Sequence, residues 1–359
     1  MNIRRTHIVM KKFAHLLLGC TVWLCSCQSL EQISIDYMRP AKISFPDELK
    51  RIGIVNNVPN DLPNRLSNRW QDQPDIETGN NFRQTRYYNG LPEVTAEAMA
   101  HAMADEQYFE QVVICDSALR AHDTRLRAGG LTGEEVNQLA SDLDVDLLVS
   151  LESVQMRSVR KVTYMPEFGF YVGDLETHVR PVLKLYLPGK NEPMALINAA
   201  DSIYWDEVGN TADYVRTHLI DEDEMLRQAS DYAGTLAVKD LLPYWETDSR
   251  YYFTGGNVKM RDAGVYAREG HWAEATALWE EAYAEARKAK TQFYAAYNLA
   301  LGYEMQDDIA TACQWIQTAA EKAAQTDYAQ LAQHYLQILQ ERRDYVTALN
   351  AQLRRFKEN

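Results

Sequence analysis

The chain has 359 residues, of which 46% are hydrophobic and 25% charged, and its formal net charge is −14. This length is sufficient for two domains, and the composition is that of a globular protein, which excludes wholesale disorder. The acidic charge makes nucleic acid an unfavourable partner, because it would repel the phosphate backbone.

The amino terminus has the order of a secretory signal peptide, with four basic residues before an apolar stretch from Phe13 to Leu24. That stretch is shorter than the ~20 residues of a membrane span. Leu24-Cys25-Ser26-Cys27 resembles the lipobox of bacterial lipoproteins, in which the last cysteine is acylated. An alternative ending at Cys20 leaves too short an apolar part. The sequence therefore predicts a signal peptide over 1–26, acylation of Cys27 and a tether over 27–39.

Short apolar runs alternate with amphipathic stretches between residues 40 and 246. The pattern predicts strands at 51–55, 112–115, 147–162, 179–187 and 194–205, and helices at 92–108, 134–143 and 221–242. Thr132 and Glu135 form a capping box before the second of these helices. Residues 57–90 are polar and are predicted to form an exposed loop. This order predicts an α/β domain over 40–246, with a mixed sheet and an antiparallel meander.

The order of elements, and the sequence Asp144-Val145-Asp146-Leu147-Leu148-Val149, resemble the envelope α/β domains of the curli-secretion lipoprotein and of the amino terminus of the translocation protein TolB. After this part, residues 246–256 are polar and then rich in tyrosine and glycine, which is typical of a junction between domains.

The C-terminal part repeats itself with a period of 37 residues. The matched residues are Ala263, Tyr266, Gly270, Trp272, Ala275, Trp279 and Ala282 with Ala300, Tyr303, Asp307, Ile309, Ala312, Ile316 and Ala319. Small residues at this spacing, with aromatics beside them, resemble the tetratricopeptide repeat. The expected fold class is therefore α+β, an N-terminal α/β domain followed by tetratricopeptide-like helical repeats over 255–357.

The anchoring cysteine, the Ile52-Gly53-Ile54-Val55-Asn56-Asn57 start and the Gly-x-Trp repeat together resemble an uncharacterised Bacteroidetes family of tetratricopeptide lipoproteins. The resemblance implies a lipid-anchored protein of the cell envelope, at the outer membrane. It implies no activity.

Motifs for chemistry are missing from the sequence. It contains no nucleophile elbow, phosphate loop or zinc-protease motif, and no two histidines after the signal stand at ligand spacing. Cys115 and Cys313 are expected to be small buried residues rather than a disulfide. We therefore expect no enzyme, catalytic residue, metal or cofactor. Trp70 and Trp205 stand near acidic residues, so a sugar-binding site remains an alternative.

In a tetratricopeptide register the first helices of the pairs line a concave groove. The resemblance assigns to it Met260, Arg268, Tyr294, Tyr297, Leu301, Glu304 and Met305. Such a lining could hold an extended peptide or a partner helix; alternatively, these aromatics pack against the α/β domain or a third helix pair. The expected function is a non-enzymatic scaffold with a protein partner in the envelope and a lipid anchor in the membrane. The alternative is an envelope protein that binds a solute or glycan.

Overall fold

The computed structural model describes residues 30–59, 76–78, 81–115, 117–120, 130–323 and 328–358. The predicted signal peptide, Cys27 and Trp70 lie outside the described residues. The chain divides into two compact units. Of the described residues, the helical unit contains those up to Tyr37 and those from Trp245 to Thr347, and the α/β unit contains those from Met38 to Tyr244 and those from Ala348 onward.

The described residues form ten strands and nine helices. The strands are β1 (Leu30–Arg39), β2 (Arg51–Asn56), β3 (Ile76–Thr78), β4 (Asn81–Asn89), β5 (Gln111–Ile114), β6 (Leu147–Met165), β7 (Phe170–Tyr186), β8 (Ala195–Asn198), β9 (Asp201–Gly209) and β10 (Tyr244–Phe253). The helices are α1 (Pro92–Asp105), α2 (Gly133–Leu143), α3 (Ala212–His218), α4 (Glu222–Val238), α5 (Val258–Arg268), α6 (Trp272–Glu285), α7 (Ala289–Glu304), α8 (Ile309–Ala323) and α9 (Ala329–Glu358). The expected class, mixed α and β with a mixed sheet and a C-terminal helical region, is confirmed.

The α/β unit is built on an eight-stranded mixed sheet. β2 pairs in parallel with β5 and β6, so that Ile52 lies between Val112 and Leu147. Its apolar residues are buried in continuous sequence, as expected for a parallel strand covered on both faces. β6 continues past β2 to pair antiparallel with β4, and its other edge carries β7. β7 then pairs antiparallel with β8 and β9, which makes the meander.

Helices cover both faces of this sheet. α1 and α4 contribute to the larger apolar core, and α2 contributes to a smaller one on the opposite face. Gly234 in α4 allows close packing on α1, since a Cβ there would lie 2.4 Å from the carbonyl oxygen of Thr95. The predicted capping box is confirmed, because Thr132 and Glu135 exchange side-chain to backbone hydrogen bonds at the start of α2.

The prediction of a loop over 57–90 is wrong for residues 76–78, which form β3, and for residues 81–89, which form β4. The strand pairs along its whole length with β6, from Phe82 opposite Val162 to Asn89 opposite Gln155. Polar side chains project from both of its faces, so the sequence lacks the apolar alternation by which a half-buried strand is recognised. This strand is held by its backbone hydrogen bonds to β6 rather than by the burial of apolar side chains.

The helical unit begins with a two-stranded sheet of β1 and β10. Residues 30–39 and 246–253 are therefore strands rather than the predicted tether and junction. Ile33, Ile35 and Tyr37 alternate with polar residues, which is the signal of a strand. The side chains of Glu31 and Tyr252 meet at one end of the pair, and those of Tyr37 and Glu246 meet at the other.

Successive helices α5 to α8 pack on their chain neighbours in the helical unit. Trp279 and the alanines of the predicted 37-residue pattern are buried in its core. The end of α9 belongs instead to the α/β unit, where the Gln352 side chain bonds both the N–H and the carbonyl of Ala41. The helical unit thus ends before residue 357, the predicted end of the repeats.

Cys115 and Cys313 carry free thiols. Within the described ranges, no helix is both long and apolar enough to cross a bilayer. In that same part of the chain, no group of three His, Cys, Asp or Glu side chains is placed to hold a metal ion.

Candidate functional site

The structure places most of the predicted groove residues inside the helical unit. Met260, Tyr294, Tyr297 and Leu301 are buried in its core. Tyr294 stacks on Phe253 of β10, with ring centroids 4.0 Å apart. Tyr297 contacts both Phe253 and Tyr335 of α9. These side chains therefore line no open groove; they pack against β10 and α9. This is close to the alternative that the sequence left open, except that the single helix α9 stands where a third helix pair was predicted.

The remaining groove residues also have partners within the helical unit. Met305 is half-buried and packs on the same core. Arg268 is on the surface, where it forms an ion pair with Glu31 of β1 at 2.6 Å. Glu304 is buried among charged groups. The seven residues thus fall into a core, a surface ion pair and a buried ionic cluster, and do not form one binding surface.

The buried ionic cluster consists of Glu304, Arg250, Arg342 and Tyr335. The Glu304 carboxylate accepts hydrogen bonds from Arg250 Nε at 3.1 Å, Arg342 Nη1 at 2.5 Å and Tyr335 Oη at 2.5 Å. Burial lowers the pKa of Arg250, but the negative charge of Glu304 outweighs it and the net effect is to raise that pKa. The cluster joins β10, α7 and α9, so its role is to fix how these elements pack.

A cleft in the α/β unit is the better candidate site. Its volume is about 310 Å³, at the lower end of ligand pockets. One wall is the sheet face formed by alternate residues of β4 and their partners on β6, and the other is α3 with the start of α4. The lining residues are Gln84, Arg86, Tyr88, Ser158, Arg160, Leu175, Arg216, Thr217, Leu219, Asp221, Glu222 and Met225.

Three arginines give the cleft its charge. Arg86 and Arg160 come from neighbouring strands and Arg216 from α3. Arg160 donates to the carbonyls of Arg216 at 3.4 Å and Ile220 at 2.8 Å. Both acceptors are uncharged, and the two bonds tie the sheet to α3 and to the residues that follow it. The Arg216 guanidinium lies over the Phe82 ring, 4.8 Å from its centroid, and its Nη1 lies 3.8 Å from Asp213 Oδ1.

The two acids of the cleft are engaged in structural bonds. Asp221 caps α4 by accepting from the N–H of Glu224 at 2.9 Å. Burial, and then the charge and hydrogen bond of Glu222, raise the pKa of Tyr88 to about 12. The lining thus has three arginines and two acids, and this excess of positive charge favours an anionic ligand.

A family model described as domain of unknown function (DUF8603) matches residues 49–253, more than half of the chain. The chain belongs to this family. The DUF8603 match includes every residue that lines the cleft. A second model, described as domain of unknown function (DUF6340), matches residues 261–341 in the helical unit. No curated protein matches the chain.

Three residues in the DUF8603 region are arranged like the serine, histidine and acid of a catalytic triad. Ser202 Oγ lies 2.6 Å from His178 Nδ1, and His178 Nε2 lies 3.2 Å from Glu176. Ser202 faces His178 directly across the β7–β9 ladder, where cross-strand contacts of this kind are common. The three residues do not line the cleft. Acyl transfer needs a concave site with hydrogen-bond donors aimed at the developing oxyanion. The backbone N–H groups of a strand pair are used in the ladder, so this arrangement does not supply such a site.

Sequence reasoning missed the cleft because it missed β4. Gln84, Arg86 and Tyr88 stand at period two, which places them on one face of a strand. Phe82, Thr85, Tyr87 and Tyr88 are residues with high β propensity and were the available signal. Nothing in the sequence indicates that α3 lies over this face.

Proposed function

We propose that this DUF8603 protein is a lipid-anchored cell-envelope protein that binds a small anionic solute in the arginine-lined cleft and catalyses no reaction. The observation that carries the proposal is the convergence of Arg86, Arg160 and Arg216 on one cleft in a chain of net charge −14. An acidic protein would otherwise repel anions, so positive charge gathered in a concavity favours a specific anionic ligand.

The guanidinium groups match carboxylate and phosphate groups. An arginine presents five donors in a planar fork, and such groups are recognised by paired hydrogen bonds. Arg160 donates to two main-chain carbonyls, which carry no formal charge. A ligand anion would place a formal negative charge beside this guanidinium.

The rest of the lining sets the size and character of the ligand. Leu175, Leu219 and Met225 form apolar surface, while Ser158 and Thr217 bring hydroxyls. Sites with a few polar groups on an apolar lining are typical of small organic ligands. An acidic sugar or a sugar phosphate combines the anion, the hydroxyls and the apolar faces that such a lining would bind.

The lipid anchor at Cys27 and the outer-membrane location remain part of the proposal. They rest on the lipobox-like Leu24-Cys25-Ser26-Cys27 and on the resemblance to envelope lipoproteins. Substitution of Cys27 by Ser should release the protein from the membrane fraction, whereas Cys20→Ser should leave it there. Retention of the Cys27 variant through a high-salt wash would reject the anchor.

We also propose that α5 to α8 are two tetratricopeptide-like helix pairs. In support, Ala263, Ala275 and Ala282 are fully buried, and so are their counterparts Ala300, Ala312 and Ala319. Gly270 and Asp307, which occupy equivalent places between paired helices, both have left-handed backbone with φ of 78° and 59°.

Calorimetric titration tests the anion site with two probes, D-glucuronate and inorganic phosphate, and with D-glucose as the uncharged comparison. Arg216→Gln should weaken binding of the better anion by roughly 10- to 100-fold, the equivalent of a charged hydrogen bond worth ~1.5–3 kcal/mol. Arg157→Gln is the matched control, because Arg157 is on β6 beside Ser158 and projects from the other face. Equal loss in both variants, or no binding of either anion, would reject the site.

A contact scaffold is the second candidate function. Tyr204 and Val208 on β9 are 66% and 50% exposed, and they lie on the same sheet face, four residues apart. Exposed apolar residues of this kind mark protein contacts when they form a patch. A photo-crosslinking amino acid at 204 should give a single adduct in cells and one at Glu192 none. Identical crosslinking at both sites would remove this candidate.

A further inference from the structure

The lipid anchor has a geometric consequence for the helical unit. β1 begins at Leu30, three residues after Cys27. Consecutive Cα atoms are at most ~3.8 Å apart, so the Leu30 Cα lies within about 11 Å of the acylated cysteine. An anchor so close to a fixed strand constrains which surface of the helical unit can face the lipid.

The start of β1 is fixed by side-chain contacts within the helical unit. Leu30 packs on the core of that unit. The Glu31 carboxylate accepts hydrogen bonds from Tyr252 Oη and Arg268 Nη1, each at 2.6 Å. Since Arg268 is the last residue of α5, the anchor point lies beside that helix. A helix with side chains is only ~10–12 Å across, so α5 is within reach of the lipid headgroups.

The outer face of α5 carries apolar residues that folding does not require. Val258, Val265 and Tyr266 are 61%, 41% and 39% exposed. At 100° per residue the two valines lie at the middle of the exposed arc, with Arg261 and Arg268 on one side and Asp262 and then Tyr266 on the other. Valine is a weaker helix former than alanine, and an exposed valine gains no burial in return. Together these residues form a small exposed apolar strip, which is a surface that can make a contact outside the unit.

The charge of α5 differs from that of the chain. Its basic residues are Lys259, Arg261 and Arg268, and its only acid is Asp262, in a protein of net charge −14. These basic side chains are paired with acids: Lys259 with Glu281 and Glu285, Arg261 with Asp262, and Arg268 with Glu31. The face therefore carries little net charge, which reduces its repulsion by an anionic membrane surface. An apolar strip flanked by basic residues is a feature of helices that lie in a membrane interface; on α5 the acid Asp262 interrupts that strip.

We propose that the outer face of α5 rests on the lipid bilayer, held there by the acylated Cys27. The inference rests on the lipid anchor of the proposed function. The acyl chains supply the affinity, and α5 sets the orientation, since valines and one tyrosine alone bury too little apolar surface for stable binding.

Fluorescence quenching tests this orientation. The acylated full chain, with Cys115→Ser and Cys313→Ala, is reconstituted in vesicles of phosphatidylethanolamine and phosphatidylglycerol that contain a headgroup nitroxide lipid. A fluorophore is attached through Asp262→Cys on α5 or, as control, through Gln314→Cys on α8. We expect the label at 262 to lose most of its fluorescence and the label at 314 to keep most of it.

A second variant, together with a measurement of flotation with the vesicles, distinguishes failure of the lipid anchor from failure of α5 docking. Val258→Glu with Val265→Glu should restore fluorescence at 262 while the protein still floats with the vesicles. If the parent protein does not float, the lipid anchor is wrong and the inference falls with it. If it floats but both labels are quenched equally, or the double variant changes nothing, the docking of α5 is overturned and the anchor stands.

Discussion

Substitution of Glu304 by Ala should be among the most damaging single changes in the helical unit. The substitution removes the carboxylate that accepts hydrogen bonds from Arg250, Arg342 and Tyr335. The two arginine side chains are almost fully buried, so their charges lose their main compensation. Breaking such a pair costs ~3–5 kcal/mol, because a buried charge is left without its partner.

Hydrogen exchange in peptides of α7 measures this cost in the full chain. Local stability sets the exchange protection of buried amides, so ~3–5 kcal/mol corresponds to a loss of about two to three and a half powers of ten. Glu321→Ala on the exposed face of α8 is the matched control and should change stability by no more than ~0.5 kcal/mol.

A double-mutant cycle with Arg342→Ala tests the physical reason for that loss. Residues that share a buried ionic contact should show a coupling free energy of ~0.5–3 kcal/mol. Strictly additive effects, or a Glu304→Ala loss no larger than that of Glu321→Ala, would refute the view that the cluster fixes the packing of β10, α7 and α9.

Three further predictions concern the core, the closest packing and the effect of pH. In the helical core, Tyr297→Ala should lower the free energy of unfolding in urea by ~3–5 kcal/mol and Ala275→Leu by ~1–3 kcal/mol. If Tyr297→Ala left the free energy of unfolding unchanged, Tyr297 would be a groove residue rather than a core residue. Gly234→Ala should lower the melting temperature of the α/β unit, since its Cβ would clash with the α1 backbone; an unchanged melting temperature would mean that the helices can separate. The Arg120 hydrogen bonds, against the effect of burial, lower the pKa of Glu135 from 4.5 to about 2. A carboxylate whose pKa is lower in the folded protein stabilises the fold above its unfolded-state pKa, and this stabilisation is lost as the pH falls toward the folded-state value. Glu135→Gln should therefore be less stable than the wild type near neutral pH and equal to it toward pH 2. A stability difference that does not depend on pH would contradict this.

The sequence was most informative where apolar pattern and burial agree. The runs at 51–55 and 147–151 predicted the parallel strands, because strands buried on both faces are apolar throughout. Thr132 and Glu135 marked the start of α2 because a capping box is local in sequence. The alanine spacing located α5 to α8 for the same reason, since close helix contacts demand small residues at fixed intervals.

Long-range pairing explains what the sequence could not give. β1 and β10 pair across more than 200 residues. β1 has the alternation of a half-buried strand, but nothing near it in the sequence indicates its partner. Tyr294 and Tyr297 were assigned to a groove by the repeat register, but Phe253 of β10 packs on both of them. The cleft combines a polar strand, β4, with the short helix α3. Its arginines carry no sequence motif, so only the fold brings them together.

The position of the bound anion is the most direct test of the proposed function, and methyl NMR of methionine-labelled protein measures it. Met225 lines the cleft, whereas Met260 lies in the core of the helical unit; Met225→Leu and Met260→Leu assign the two signals. The account predicts that D-glucuronate or inorganic phosphate shifts the Met225 signal, that D-glucose does not, and that Arg216→Gln suppresses the shift. An unmoved Met225 signal at saturating anion, or equal shifts at Met225 and Met260, would contradict it.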